Sequence, residues 1–179
     1  MDIAIGEKDA AVGAGVDEGS FALFYEREFT AVVGLAYALS GSRSGAEDIA
    51  QEAFLAAHRS WDRVGAYEQP GAWVRRVTAN LAVSTIRRRL SEARAMVRIG
   101  ARRQEPLPEL GVESEEFWRA VRALPKRQAQ VAALRYMEDL SVADIARVLE
   151  MADGTVKAHL HAARTALARR LQLDIEEGS

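Results

Sequence analysis

The sequence predicts an all-α protein made of two small helical domains, and three observations carry this prediction. The chain has 179 residues, enough for one domain or two small ones. It contains only 4 Pro and 13 Gly, and aromatic residues make up 7%, a balance that favours helix over sheet. Apolar residues recur at helical spacing in two blocks, 21–94 and 114–171, without a strand pattern of useful length. We therefore expect two helical units joined by a flexible linker over 95–113, with tails at 1–20 and 172–179.

The first block predicts three helices. The first helix begins at Phe21 and ends at the segment 41–45, where two glycines and two serines interrupt the apolar pattern. The second begins at a capping box formed by Ser44 and Glu47, because a Ser followed three residues later by Glu satisfies two free backbone N–H groups. The third covers about 72–94. We expect these helices to form a small bundle.

The second block predicts four shorter helices. Ser114 is the expected N-cap of the first of them, which Pro125 ends. The next three cover about 126–137, 141–149 and 153–171. About three residues separate the last two, which is the layout of a helix-turn-helix unit. In such a unit the second helix enters the DNA major groove.

The composition excludes several classes of protein. The chain has no cysteine, so it holds no disulfide, thiolate zinc site or iron–sulfur cluster. No apolar run approaches the ~20 residues of a membrane span, and the N-terminus lacks a signal-peptide pattern. The three His residues accompany no metalloprotease motif, phosphate-binding loop or paired carboxylates. We therefore expect a cytoplasmic protein without membrane insertion, and no enzyme, catalytic residue, metal or cofactor.

One basic segment stands out from an otherwise acidic chain. Residues 65–104 carry nine Arg and two acidic residues, a net charge of +7, whereas the whole chain carries −2. Within this segment Arg76, Asn80 and Arg87 share one stripe of the third helix, and Tyr67 lies in the loop before it. Arg contacts phosphates, Asn reads base edges and an aromatic ring stacks on unpaired bases. The pattern indicates a nucleic-acid surface, and a solvated helix face bridging two domains is the alternative.

The last predicted helix carries a second candidate DNA surface. Lys157, His161 and Arg164 are spaced by four and three residues, so they lie on one side of the helix. Thr155 is near the helix start, where backbone N–H groups also hold phosphates. The spacing fits DNA reading, and an ordinary helical hairpin is the alternative.

The second helix has an outward face of another kind. Asp48, Gln51, Glu52 and Leu55 place an apolar side chain among acids. DNA phosphates repel such acids, so the composition suits a protein partner. A solvated face with one isolated Leu is the alternative.

Three passages together resemble one family. They are AEDIAQEAFLAAHRSW (46–61), PGAWVRRVTANLAVSTIRRR (70–89) and the segment from Ala123 to Leu171. They resemble, in order, the extracytoplasmic-function (ECF) sigma factors of the sigma-70 family, which retain only regions two and four. With the first helix they span most of 21–171.

The resemblance implies a function and a role for each surface. An ECF sigma factor binds core RNA polymerase, directs it to particular promoters and assists strand opening. The implied partners are the β′ clamp helices and the β subunit of the polymerase, promoter DNA and an anti-sigma factor. By the family pattern, core binding falls to Asp48, Gln51, Glu52 and Leu55, minus-ten (−10) DNA to Tyr67, Arg76, Asn80 and Arg87, and minus-thirty-five (−35) DNA to Arg127, Thr155, Lys157, His161 and Arg164.

The chain departs from the family pattern at four positions. Ser84 replaces a frequent Asp, Ala129 a common Arg, Glu150 a usual Gly in the turn, and Ala152 a usual capping Ser. These changes bear on promoter sequence and DNA affinity. Two other functions stay open, a stand-alone helix-turn-helix regulator and a helical adaptor that has lost DNA binding.

Overall fold

A computed structural model gives the fold of residues 18–95 and 115–171, including all side chains except those of 18–19 and 86–95. All regular structure in this part of the chain is helical, which confirms the predicted fold class. None of these helices has both the length and the apolar character needed to cross a membrane. The helices are α1 (Glu18–Ser40), α2 (Arg43–His58), α3 (Trp61–Val64), α4 (Pro70–Ala95), α5 (Glu115–Arg122), α6 (Lys126–Met137), α7 (Val142–Leu149) and α8 (Asp153–Leu171).

The first bundle consists of α1–α4. Helix α1 packs against α2 and α4, and aromatic rings fill the centre, with Phe24 4.8 Å from Trp61 and 5.9 Å from Phe54 between ring centroids. Helix α1 ends where Gly41 adopts a left-handed conformation (φ 68°), and the Gly41 N–H donates to the Tyr37 carbonyl at 2.7 Å. The glycine-rich segment therefore ends the helix as the sequence predicts.

The start of α2 differs from the prediction. Its N-cap is Ser42, whose hydroxyl accepts the Gly45 N–H at 3.3 Å, and not Ser44. Ser42 is extended immediately after the turn at Gly41, so the helix begins earlier and Ser44 already lies in its first turn. Glu47, expected to complete a capping box, instead accepts a bond from Arg43 at 3.4 Å.

Other helix bounds shift by a few residues. Helix α1 begins at Glu18, inside the segment predicted as a tail, and α4 begins at Pro70, a favoured first helical residue because the missing N–H has no partner there. The short helix α3 occupies part of the predicted loop. The predicted linker, the Ser114 cap and the C-terminal tail lie outside the described residues, apart from residue 95 at the end of α4.

The second bundle consists of α5–α8, with α8 packed against α5, α6 and α7. Ser141 caps α7 by accepting the Asp144 N–H at 3.1 Å. Its hydroxyl also bonds the Asp144 carboxylate, and this bond lowers the pKa of Asp144. Glu150, at the position where the resemblance implies Gly, adopts the left-handed conformation (φ 52°) in the turn between α7 and α8. That conformation costs a residue other than Gly about 1 kcal/mol.

The two bundles pack against each other. Helix α1 contacts α5 and α6, and α4 contacts α6 and α7. Residues 34–40 of α1 and 129–134 of α6 are all buried. Except for Gly34, Ser40 and Gln130, they belong to one continuous apolar cluster. A helix that is buried all round lies between neighbours on several sides. The chain therefore forms two bundles that share a core across their contact.

Candidate protein and nucleic-acid interfaces

The outward face of α2 lies where the sequence places it. Asp48, Gln51, Glu52 and Leu55 are all exposed, and 54% of Leu55 is accessible to solvent. The opposite side of α2 is buried, with Ile49, Ala50, Ala53 and Phe54 in the core. Because these buried residues fix the rotation of the helix, the acidic face and its leucine point away from the bundle.

An apolar groove adjoins this face between α1 and α2. Its walls are formed by Phe21, Tyr25, Gln51, Phe54, Leu55 and His58. The Phe21 ring meets the His58 ring edge to face at 4.8 Å between centroids. The sequence analysis did not single out Phe21 and Tyr25, which are partly buried on α1. An apolar groove beside carboxylates suits a partner helix with basic flanks.

The predicted DNA-reading face of α8 is open. Thr155, Lys157, His161 and Arg164 are exposed, while Val156, Leu160, Ala163 and Leu167 on the other side are buried. The Arg164 side chain donates to the Tyr136 hydroxyl at 3.3 Å, which holds its guanidinium beside α6. Lys157, His161 and Arg164, which their spacing places on one side of this helix, are therefore all exposed to solvent.

Arg127 lies in the first turn of α6 and is exposed. Its guanidinium donates to the Gln130 side-chain oxygen at 3.2 Å. The Arg127 side chain is thus held by a residue of its own helix and stays exposed to solvent.

The predicted −10 residues on α4 have a different environment. Arg76 and Asn80 are partly buried against the second bundle. The Asn80 side-chain oxygen accepts a bond from the Gln130 amide at 3.0 Å, and Arg76 forms an ion pair with Glu150. Arg87 is on α4, but its side chain lies outside the described residues. The sequence left open that the basic segment bridges two domains. Arg76 does connect the two bundles, through its ion pair with Glu150.

Tyr67 lies in the loop before α4 and is 41% exposed. It lines a cleft between the two bundles with Trp73, Arg76, Arg147 and Glu150, among others. Trp61, by contrast, is buried in the first bundle. Tyr67 therefore offers a more accessible ring than Trp61.

A buried ion cluster joins the two bundles. Arg75 of α4 donates to Glu28 of α1 at 2.7 Å and also bonds Glu138 at the end of α6. Burial alone would raise the pKa of Glu28, but bonds from Arg27 and Arg75 outweigh it and hold this pKa below its usual range. Burial raises the pKa of Glu138, and Arg75 opposes that rise only in part. Sequence reasoning did not single out this cluster, whose three members are far apart in the chain.

Within the described residues no group of three His, Asp or Glu side chains is placed to hold a metal ion. His159 is partly buried, whereas His161 is exposed on α8. The two therefore face different surroundings, as expected for residues two apart on a helix.

Two family models match the chain, one on each bundle. Residues 24–91 match Sigma-70 region 2, and residues 114–167 match Sigma-70, region 4. The first range falls in the first bundle and the second range in the second, in the order that the resemblance implies.

Two curated relatives are ECF RNA polymerase sigma factors. The ECF RNA polymerase sigma factor EcfG of Rhodopseudomonas palustris is 31% identical over 145 residues, which cover 78% of each chain. The ECF RNA polymerase sigma factor SigW of Bacillus subtilis is 27% identical over 186 residues, covering 96% of this chain and 99% of the relative.

Solved structures share the fold. The sigma factor RpoE of Bartonella quintana, in complex with the anti-sigma factor NepR, gives a TM-score of 0.67 at 24% identity, covering 87% of this chain and 98% of that one. CnrH, in complex with the cytosolic domain of CnrY, gives 0.62 at 20% identity, covering 89% and 92%. At these identities the likeness establishes the fold of both bundles.

Proposed function

Because the chain belongs to the ECF group of the sigma-70 family, we propose that it binds core RNA polymerase, directs it to particular promoters and assists strand opening. The observation that carries this proposal is the presence of both regions in one chain, each with an exposed face of the chemistry its role needs. We assign the protein no catalytic step of its own, and we place its work in the cytoplasm, where polymerase and promoters meet.

We assign core binding to the exposed face of α2 and the groove beside it. Asp48 and Glu52 supply negative charge, and Leu55 supplies exposed apolar surface next to the Phe54 wall of the groove. Interfaces of this kind gain orientation from their charges and affinity from apolar contacts in the centre. The polymerase surface that fits is a helix pair with basic residues around an apolar ridge.

Reversing the charge on this face tests core binding. We expect Asp48→Lys/Glu52→Lys to weaken binding to core polymerase about a hundredfold, because like charges placed opposite each other cost several kcal/mol. Both side chains are exposed, so the helical circular-dichroism signal and the melting temperature should stay close to wild type.

The matched control is Glu26→Lys/Asp62→Lys, which makes the same charge change at exposed positions of α1 and α3. This control should bind polymerase as the wild type does. Unchanged binding by the Asp48→Lys/Glu52→Lys protein, or equal weakening by both proteins, would count against the assigned face.

We assign promoter recognition to two further faces. The exposed side of α8 with Thr155, Lys157, His161 and Arg164, together with Arg127, is proposed to read the −35 element. Tyr67 and the α4 residues Arg76, Asn80 and Arg87 are proposed to hold the −10 strand. An exposed aromatic ring that shares a cleft with Arg76 suits unpaired bases and their phosphates.

We also propose an anti-sigma factor as a partner. One solved sigma factor of the same fold, RpoE, is bound to an anti-sigma factor. The stand-alone regulator gains no support, since it accounts for neither the match to region 2 nor the acidic and apolar face of α2.

A further inference from the structure

Arg164 of α8 is held by a residue of another helix. Its Nε donates to the hydroxyl of Tyr136, near the C-terminal end of α6, at 3.3 Å. A guanidinium that uses Nε in this way keeps its two terminal nitrogens, Nη1 and Nη2, for another partner. Those two nitrogens form the fork that binds two oxygens of a phosphate. The bond to Tyr136 therefore leaves the anion-binding end of Arg164 available.

The Tyr136 ring is itself held in place. It is partly buried and packs against the apolar core. The Phe117 ring of α5 meets it edge to face, with 5.5 Å between the ring centroids. A long Arg side chain loses rotamer freedom when it binds, and a fixed acceptor beside it reduces that loss. The packing of α5 on α6 thus prepares Arg164 for a contact.

Tyr136 is a neutral partner, which sets Arg164 apart from another exposed arginine of the second bundle. Arg147 forms an ion pair with Asp144 at 2.8 Å. None of the residues one turn before or after Arg164 on α8 is acidic; they are Leu160, His161, Leu167 and Ala168. A phenol orients a guanidinium without neutralising it, so Arg164 presents its full positive charge to solvent.

The position of Arg164 along α8 favours the DNA backbone over a base. In a helix-turn-helix unit the N-terminal residues of the second helix contact base edges. Lys157 is four residues after Asp153, the first residue of α8, whereas Arg164 is eleven residues after it, about 16 Å along the helix axis. Arg164 therefore lies well beyond the base-reading end of the helix, where the phosphates at the edge of the groove are the available partners.

We propose that Tyr136 is a positioning residue for −35 binding: it holds Arg164 so that the free end of the guanidinium binds one DNA phosphate beside the −35 element. This inference deepens the proposed −35 role of α8 and rests on it. Base discrimination then falls to the residues nearer the start of α8, and the Arg164–Tyr136 pair fixes how the helix is placed in the groove.

A double-mutant cycle tests the positioning role. The probe is a duplex carrying the −35 element of a promoter mapped with the wild-type protein, and every variant is the full-length chain. We expect Tyr136→Phe to weaken duplex binding about three- to tenfold, because the bond that orients Arg164 is lost while the ring and its packing are kept. In the Arg164→Ala background the same change should weaken binding by at most about twofold.

The salt dependence tests the phosphate contact. Loss of one phosphate contact weakens binding by a similar factor for every sequence and lowers the slope of log affinity against log salt by about one unit. We expect this result for Arg164→Ala, with unchanged discrimination between variants of the −35 element. The control Arg119→Ala removes the same charge from an exposed position of α5 and should leave both the affinity and the slope unchanged.

A phosphate scan locates the contact on the DNA. Each phosphate of the duplex is replaced in turn by an uncharged methylphosphonate. One replacement should weaken binding of the wild type about tenfold and leave binding of Arg164→Ala unchanged, because that variant has already lost the contact.

The outcomes separate the Arg164–Tyr136 pair from the proposed function. No weakening by Tyr136→Phe, or equal weakening in both backgrounds, would overturn the positioning role, since a purely structural effect does not depend on Arg164. An unchanged salt slope with an altered preference at one base pair in Arg164→Ala would overturn the phosphate contact, as would a scan that does not distinguish this variant from the wild type.

If the wild type starts transcription at no promoter, the proposed function fails. The cycle, the salt slope and the scan are then measured on a duplex of arbitrary sequence at low salt, because phosphate contacts do not depend on sequence. They still decide whether Tyr136 positions Arg164 on a phosphate.

Discussion

We expect Arg75→Ala to lower the free energy of unfolding by about 3 kcal/mol, because removing one member of a buried ion cluster leaves uncompensated charge. Arg75 is the cation that Glu28 and Glu138 share, and all three side chains are largely buried. The measurement is chemical denaturation at neutral pH followed by circular dichroism.

The matched control is Arg27→Ala. Arg27 also binds Glu28, at 2.8 Å, but its side chain is 66% exposed, and exposed ion pairs contribute about 0 to 1 kcal/mol. If both variants lost the same free energy of unfolding, the buried cluster would not stabilise the fold more than the exposed ion pair does.

Glu138→Gln adds a pH-dependent check on the same cluster. The folded-state pKa of Glu138 is raised, chiefly by burial, so wild-type stability falls as the pH rises from the ordinary Glu pKa through the raised value. The variant lacks this titration. We therefore expect it to gain stability relative to wild type as the pH rises above the ordinary Glu pKa. If the free energies of unfolding of the wild type and Glu138→Gln differed by the same amount at every pH above the ordinary Glu pKa, Glu138 would not titrate as assigned.

We expect Lys157→Ala/Arg164→Ala to reduce initiation from a cognate promoter about 10- to 100-fold, because each lost base or phosphate contact costs about 1 to 3 kcal/mol. Both side chains are exposed on α8, and the core-binding face is on another helix, so polymerase binding should be unchanged. The measurement is the yield of promoter-dependent transcripts at limiting concentrations of the protein.

Arg119→Ala/Arg169→Ala is the control for this variant. It removes the same charge from exposed positions in the same region, away from the proposed reading side of α8. Full initiation by the control and reduced initiation by the α8 variant would support −35 reading. Loss of both polymerase binding and initiation in the α8 variant would instead indicate misfolding.

Much of the fold follows from local pattern. The periodicity of apolar residues located the helices of both bundles except the short α3, and Gly41 ended α1 as predicted. Leu55 is exposed because the buried positions of α2 are spaced evenly enough to fix the helix rotation. Helix starts were less certain, since Ser42 and Ser44 are both capable caps and only the geometry after Gly41 selects between them.

The contact between the bundles did not follow from local pattern. Burial of Gln130 depends on α4, some fifty residues earlier in the chain, and a lone polar residue in an apolar run does not reveal its partner. One signal was present in the runs GLAYAL (34–39) and AQVAAL (129–134), which are too broadly apolar for helices with one buried side. They indicate additional burial, but not against which surface.

The function proposed for this chain is to direct RNA polymerase to promoters. The most direct measurement mixes the purified chain with bacterial core polymerase and genomic DNA from the source organism, and sequences the 5′ ends of the transcripts. We expect discrete new start sites that share two spaced upstream elements. Binding to the matching core enzyme without such starts would contradict the claim and favour an adaptor, and no binding at all would favour a stand-alone regulator.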